Sequence, residues 1–226
     1  MTDQQIYTFS FRPDWMQLSN TISQLDRFDA SWATIEKREG LTLKQLKSIA
    51  TVRSVGASTR IEGSKMTNDE VANLIKTLDK SKLQERDQQE VAGYYETLEL
   101  IAESWKEMPI TENILKHLHN SLLRYSEDDE WHRGNYKQHS NVVQAENPDG
   151  TKRVIFQTTN PGFETEKAMA ALVEWYNADT KTLPLIKSAI FVYDFLSIHP
   201  FQDGNGRLSR LLGTLLLLKH GYSWIQ

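Results

Sequence analysis

The 226 residues carry 26 Lys and Arg against 30 Asp and Glu, a formal net charge of −4, with 39% apolar and 25% charged residues. That balance suits one ordinary globular domain with a small N-terminal annex and enough apolar material for a core, and it argues against a protein-wide basic face for nucleic acid or anionic membranes. With no Cys, disulfides and thiolate zinc sites are excluded. The start, "MTDQQIYTFSFRP", lacks the basic and apolar regions of a signal peptide. The longest apolar runs, such as "LLGTLLLLKHGY", are too short to span a bilayer. The expectation is a soluble, cytoplasmic protein with no membrane or nucleic-acid partner for this chain.

In chain order, "DWMQLSNTISQLDRFDASWATIEK" places Trp15, Leu18, Ile22, Leu25, Phe28 and Trp32 at three- and four-residue steps, one helical face. "LTLKQLKSIATVRSVGASTRIEG" repeats the pattern and stops at Gly63, a natural helix C-terminus. "TNDEVANLIKTL" opens with Thr67 and Glu70, a capping box. Further helices are predicted over "DQQEVAGYYETLELIAESWKE", over "ITENILKHLHNSLLRY" with Thr111 as N-cap, over "TEKAMAALVEWYN" and "LPLIKSAIFVYDFLSIH", and within "GNGRLSRLLGTLLLLKHG". Between them "NVVQA" and "RVIFQT" flank "ENPDGT", two β-prone runs around a turn, which predicts a hairpin. The fold class is therefore mainly α with one β-hairpin. The apolar end "GYSWIQ" suggests that the native chain continues.

The chemistry concentrates in "HPFQDGNGRLSR", His199 to Arg210. Gly204, Asn205 and Gly206 can turn successive N–H groups into one concavity, and the apolar period resumes at Leu208, so the loop feeds a helix N-terminus, where N–H donors and the dipole favour an anion. Arg207 and Arg210 are three apart and share a helix face, with forked donors that match phosphate oxygens. Asp203 can hold Mg²⁺ against phosphate. His199, at the end of the preceding helix and followed by Pro200, has an imidazole suited to general-base work. Each piece alone is ordinary turn or capping chemistry. Two other readings of the loop fail. An EF-hand would need a Glu where Thr214 stands, and a Walker loop needs Gly-Lys-Ser/Thr. Together the residues form a kit for moving a phosphate-containing group to a hydroxyl.

These residues resemble the signature of Fic-domain proteins, His-x-Phe-x-Asp/Glu-Gly-Asn-Gly-Arg-x-x-Arg, at every specified position. The resemblance implies a Fic-type helical bundle with the hairpin as a flap, over roughly residues 85 to 220, preceded by an N-terminal helical extension. It divides the chain into residues 1–84 and 85–226. It implies a protein adenylyltransferase using ATP and Mg²⁺, with transfer of AMP to a Ser, Thr or Tyr hydroxyl of a protein, itself included. His199 would be the base, Asp203 the metal ligand, and Gly204, Asn205, Gly206, Arg207 and Arg210 the phosphate site, with Phe201 a buried anchor. The flap, with Asn141, Val142, Val143 and Gln144 on its first strand, would align the target by strand addition.

"STRIEG" resembles the inhibitory motif Ser/Thr-x-x-x-Glu-Gly/Asn of the same family, with Ser58, Glu62 and Gly63 in place. The resemblance implies that Glu62 pairs with Arg210 and denies it to the ATP γ-phosphate. Three alternatives stay open: a different donor or kinase reaction, removal of AMP, and a nucleotide-regulated adaptor without catalysis. A homodimer is compatible with the sequence. His117 and His119 face apart on their helix and make a poor metal pair. His132 and His139, and the run "SEDDE" at 126–130, read as solvated loop. Tyr94 and Tyr95 suit packing at least as well as self-modification.

Overall fold

The computed structural model describes residues 14–78, 83–146 and 149–225, with backbone alone for 144–146. Seven α-helices and one two-stranded sheet occur among them. No helix there is long and apolar enough to cross a membrane. Two compact units are defined, one ending at Leu43 and one beginning at Lys44.

Helix α1 runs Trp15–Ile61 with a break at Glu39 (φ −112°, ψ 19°), so the two predicted helices are joined end to end. In the first unit Leu18, Ile22, Leu25 and Trp32 are half-buried. Trp15 and Phe28, expected on the same face, are exposed. At the other end of α1 the Ser64 N–H donates to the Thr59 carbonyl and the Gly63 N–H to the Arg60 carbonyl, with Gly63 at φ +105°. This is a Schellman cap, and its left-handed residue is the glycine expected there.

The second unit contains the remaining elements. Helix α2 (Asn68–Lys76) begins at a complete Thr67–Glu70 capping box. Helices α3 (Arg86–Ser104) and α4 (Glu112–Leu122) follow, and Thr111 caps α4 by accepting from the Ile114 N–H. Strands β1 (Val142–Glu146) and β2 (Lys152–Gln157) pair antiparallel. The register shifts between Val143, opposite Phe156, and Gln144, opposite Val154, which leaves Ile155 as the extra residue of a bulge. Helix α5 spans Phe163–Ala178, α6 spans Pro184–Ile198, and α7 spans Asn205–Lys219.

Helix α7 is the centre of this unit and touches α3, α4 and α6. Leu208, Leu211, Leu212, Leu215, Leu216 and Leu218 are all fully buried, and each such burial is worth about 1.5–3 kcal/mol. Leu208, Leu211, Leu212, Leu215 and Leu216 recur at three- and four-residue steps, one apolar face that Leu218 widens. Pro184 starts α6 at its first turn, and His199 stops it in the left-handed region (φ 52°, ψ 60°) with Pro200 following. The long apolar helices α6 and α7 thus meet at the short loop 199–204, which puts that loop at the end of the core.

Helices α3 and α4 approach most closely at Gly93, where an added Cβ would run into the Leu122 carbonyl. Gly213, inside α7, has open space beside it. The same substitution therefore has opposite signs. Gly93→Ala should lower unfolding free energy by about 1–3 kcal/mol, whereas Gly213→Ala should raise it by up to about 1 kcal/mol. Urea unfolding midpoints of the two variants check this.

Candidate functional site

The loop owes its shape to side chains that bond its backbone. Asn205, almost fully buried, accepts from the Phe201 N–H at 2.9 Å and donates to the Phe201 carbonyl at 2.8 Å. Phe201 is fully buried and stacks on His119, ring centroids 3.8 Å apart. His119 Nδ1 accepts from the Gly134 N–H at 2.8 Å. Its proton therefore sits on Nε2, which donates to the Asp203 carbonyl at 2.9 Å. Burial pushes this imidazole down to about 4, against the pull of the Asp203 carbonyl and with His132 and Arg207 opposing charge as well. It stays neutral at ordinary pH and works as a fixed donor and acceptor.

His199 is half-buried. Its Nδ1 lies 3.3 Å from the Leu196 carbonyl. A carbonyl can only accept, so the proton sits on Nδ1 and Nε2 keeps its lone pair. Burial lowers the imidazole's pKa, and Lys137 adds to this, while the Leu196 bond, Glu62 and Asp203 pull the other way. The balance favours the neutral imidazole.

Gly204 takes φ +77° at the N-cap of α7, a conformation suited to glycine. The first intrahelical bond is Leu208 N–H to Gly204 carbonyl, so the amides of Asn205, Gly206 and Arg207 form the donor end of the helix. Asn205 offers its backbone here, since its side chain is committed to Phe201. At Gly206 an added Cβ would meet the Glu62 carboxylate, the movable end of a flexible side chain.

Charges alternate around this donor end. Asp203 Oδ1 accepts from the Gly204 N–H at 2.6 Å, and Oδ2 accepts from Arg207 Nη2 at 3.2 Å and Arg86 Nη2 at 3.1 Å. Burial disfavours its ionised form, but Arg207, the Gly204 N–H and Arg86 outweigh that and hold the carboxyl below its usual range. Arg207, 2% exposed, also lies 3.1 Å from Glu90 on α3, which accepts from Arg86 Nε at 2.9 Å. Arg210 is held elsewhere. Its Nε donates to Ser58 Oγ at 2.6 Å, and its Nη2 to the Ser58 carbonyl at 3.0 Å and to Glu62 Oε1 at 2.7 Å. The sequence-identified Ser58, Glu62, His199, Asp203, Gly204, Asn205, Gly206, Arg207 and Arg210 thus converge, with Gly63 forming the cap just beyond. The two arginines, expected to face one anion together, have separate carboxylate partners, Asp203 and Glu90 for Arg207 and Glu62 for Arg210.

Asn141 precedes the hairpin and ties it to the loop by donating to the Phe201 carbonyl at 2.9 Å. Val142 and Val143 are half-buried on β1, and Gln144 pairs with Val154. The turn residues 147 and 148 lie outside the described residues. One expectation is corrected. His132 is buried, 3% exposed, with Nε2 3.0 Å from the buried Asp129, so this part of the loop is packed rather than solvated. Sequence reasoning missed His119, Glu90, Arg86 and Lys137. His119 had a signal, since it lies on the α4 face that buries Leu115, Leu118 and Leu122, and a polar residue on such a face needs a partner.

A mainly helical bundle with a hairpin beside a His-to-Arg loop is a Fic-type fold. Residues 109–217 match the model of the Fic/DOC family. The chain is 45% identical over 60 residues to a Fido domain-containing protein of Dictyostelium discoideum, covering 25% of this chain and 42% of that protein. It is 28% identical over 207 residues, 89% of this chain and 39% of the relative, to the protein adenylyltransferase Fic of Drosophila melanogaster. The chain thus spans about two fifths of the length of those curated relatives. Among solved structures, a Fic domain-containing signaling protein from Bacteroides thetaiotaomicron superposes with TM-score 0.69 at 25% identity, over 87% of this chain and 73% of that one. A Fic family protein from Desulfovibrio desulfuricans does so with TM-score 0.73 at 26% identity, over 96% and 62%.

Two titrations follow. In an NMR titration the His199 ring should reach its midpoint below 6.5. His119 favours the fold when neutral, so its contribution is full above pH 6.5 and falls as pH drops toward 4, by about 3 kcal/mol in all. Chemical denaturation of His119→Gln across that window should show a flatter loss of stability than the wild type.

Proposed function

We propose that this chain is an autoinhibited protein adenylyltransferase, moving AMP from ATP to a Ser, Thr or Tyr hydroxyl of a protein in the cytoplasm, itself included. Residues 85–226 act as the catalytic domain and residues 1–84 as the region that carries the inhibitory motif. The observation that carries the reading is the His199 tautomer, whose Nδ1 bond to the Leu196 carbonyl leaves Nε2 its lone pair on the loop that leads into α7. The hydroxyl oxygen attacks the α-phosphorus of ATP, its proton goes to Nε2, and the bond from that phosphorus to the β-phosphate oxygen breaks to release pyrophosphate. The amides of Asn205 and Gly206 and the guanidinium of Arg207 stabilise the charge that develops on the phosphate oxygens.

Asp203 suits a Mg²⁺ ion shared with phosphate. No group of three or more His, Cys, Asp or Glu side chains able to hold a metal occurs among the described residues, and Mg²⁺ ordinarily takes one or two protein carboxylates with substrate phosphates. When bound, the ion supplies neutralisation of the phosphate charge. Asp203 provides its ligand, and Arg207 orients that carboxylate.

The hold of Ser58 and Glu62 on Arg210 supports the inhibitory part of the reading. A guanidinium with three protein acceptors has little left for a terminal phosphate, and transfer rates are sensitive to small misplacements. The hairpin, two-stranded and therefore open at both edges, supports alignment of a target by strand addition.

The test uses ATP labelled at the α- or the γ-phosphate, with wild type, Glu62→Gly and His199→Ala. Mg²⁺-dependent α-label on protein is expected, at least about tenfold stronger for Glu62→Gly and reduced about 10²-fold or more by His199→Ala. Label from the γ-position alone would mean a kinase, and no label in any variant with lysate supplied would overturn the transferase reading.

A further inference from the structure

We propose that Lys137 is the positioning residue that sets the flap against the loop carrying His199. The proposal rests on the flap and base roles given above, but its geometry stands by itself. Lys137 lies between α4 and β1 and is 2% exposed, a buried cation. Its ammonium donates to Asn141 Oδ1 at 2.9 Å, Thr158 Oγ1 at 2.8 Å and the Ile198 carbonyl at 3.1 Å. Three N–H donors meet three neutral oxygens, and burial pushes the amine down to about 8. A buried cation held by neutral oxygens rather than a carboxylate is costly unless every donor is satisfied, so the three acceptors are required together.

The three acceptors come from three places that the chain separates. Asn141 immediately precedes β1, Thr158 immediately follows β2, and Ile198 ends α6 next to His199. One nitrogen therefore joins both feet of the hairpin to the residue before the base. The backbone of Lys137 continues the seam, its N–H donating to the Pro200 carbonyl at 2.8 Å. Beside it, Asn141 donates to the Phe201 carbonyl, Thr159 Oγ1 to the Ile198 carbonyl at 3.0 Å, and the His139 N–H to Gln202 Oε1 at 3.1 Å.

Past these feet the described residues from 149 to 157 are all exposed. Every residue of β2 is exposed, and a two-stranded sheet is marginal alone. Its placement thus depends on its base. A target strand laid on the flap would present its hydroxyl at a distance from His199 Nε2 that this base determines. Arginine is a poor replacement, because its planar fork cannot converge on acceptors grouped around a single nitrogen.

The test is amide hydrogen exchange on the full chain as wild type, Lys137→Met, Lys137→Arg and Thr158→Val, with α-label transfer measured in a Glu62→Gly background. In Lys137→Met, exchange at 142–146 and 152–157 should rise at least about tenfold while the interior of α7 keeps its protection. Thr158→Val should move the same amides in the same direction, and Lys137→Arg should not restore them. Transfer should fall through kcat with the KM for ATP unchanged. Flap exchange within about twofold of wild type in a folded Lys137→Met overturns the proposal. If that variant does not fold, wild-type flap exchange in Thr158→Val overturns it. Faster flap exchange with no α-label in any variant supports the clasp while removing the transferase reading, and the two results are thereby separable.

Discussion

Asn205 turns its side chain back over the loop and bonds both backbone groups of Phe201. The rest of the site depends on that closure. A phenylalanine with no solvent exposure carries its peptide into the core with it, and an unpaired buried N–H or carbonyl costs about 1–3 kcal/mol. With those groups satisfied by a side chain, the chain can stop one long apolar helix, bury an aromatic anchor and start a second helix within a few residues. The strained, left-handed His199 and the left-handed Gly204 are held in place because the residues between them have no slack. His119 adds a second support from α4, stacking on the anchor and bonding the Asp203 carbonyl.

Around that frame the charges are arranged as opposed pairs. Arg86, Glu90, Arg207 and Asp203 alternate in a closed ring, and Arg210 answers to Ser58 and Glu62 outside it. Arginines in the first turns of a helix oppose its dipole, and each of these has a carboxylate to offset that cost. Arg207 is buried and tied on two sides. Arg210 and Glu62 are about one-third exposed, so their contact is screened and weak by comparison. Between the two arginines, Arg210 is the one open to solvent.

Much of this was legible in the sequence, and the reason is local. Helical periods, the Thr67–Glu70 box, the Gly63 cap, the Thr111 cap and the hairpin are all written within a few residues of where they act. The contact of Glu62 with Arg210 is remote, yet a motif at each end announced it. No such signal existed for Glu90 or Lys137. Each is a charged residue in an unremarkable stretch with one partner four residues off, and its other partners are distant: the Ile198 carbonyl is 61 positions from Lys137. His132 was misjudged for the same reason, since its polar neighbours suggest solvent and only the folded chain buries it against Asp129. Where the guanidiniums of Arg207 and Arg210 end is a finer point, which their spacing does not carry. Three residues apart on a helix fixes a shared side, but the partners on α1 and α3 decide where each guanidinium ends.

The bare Cα of Gly206 has a consequence for how this surface can change. The volume that a methyl group would fill at that position already holds the Glu62 carboxylate. Residue 206 and that carboxylate therefore share one small space beside the first turn of α7. A bulkier residue there would displace the carboxylate and with it the contact to Arg210. Changes that spare the helix end have to come from the far wall, at Ser58 on α1 and at Glu62 just past its last residue.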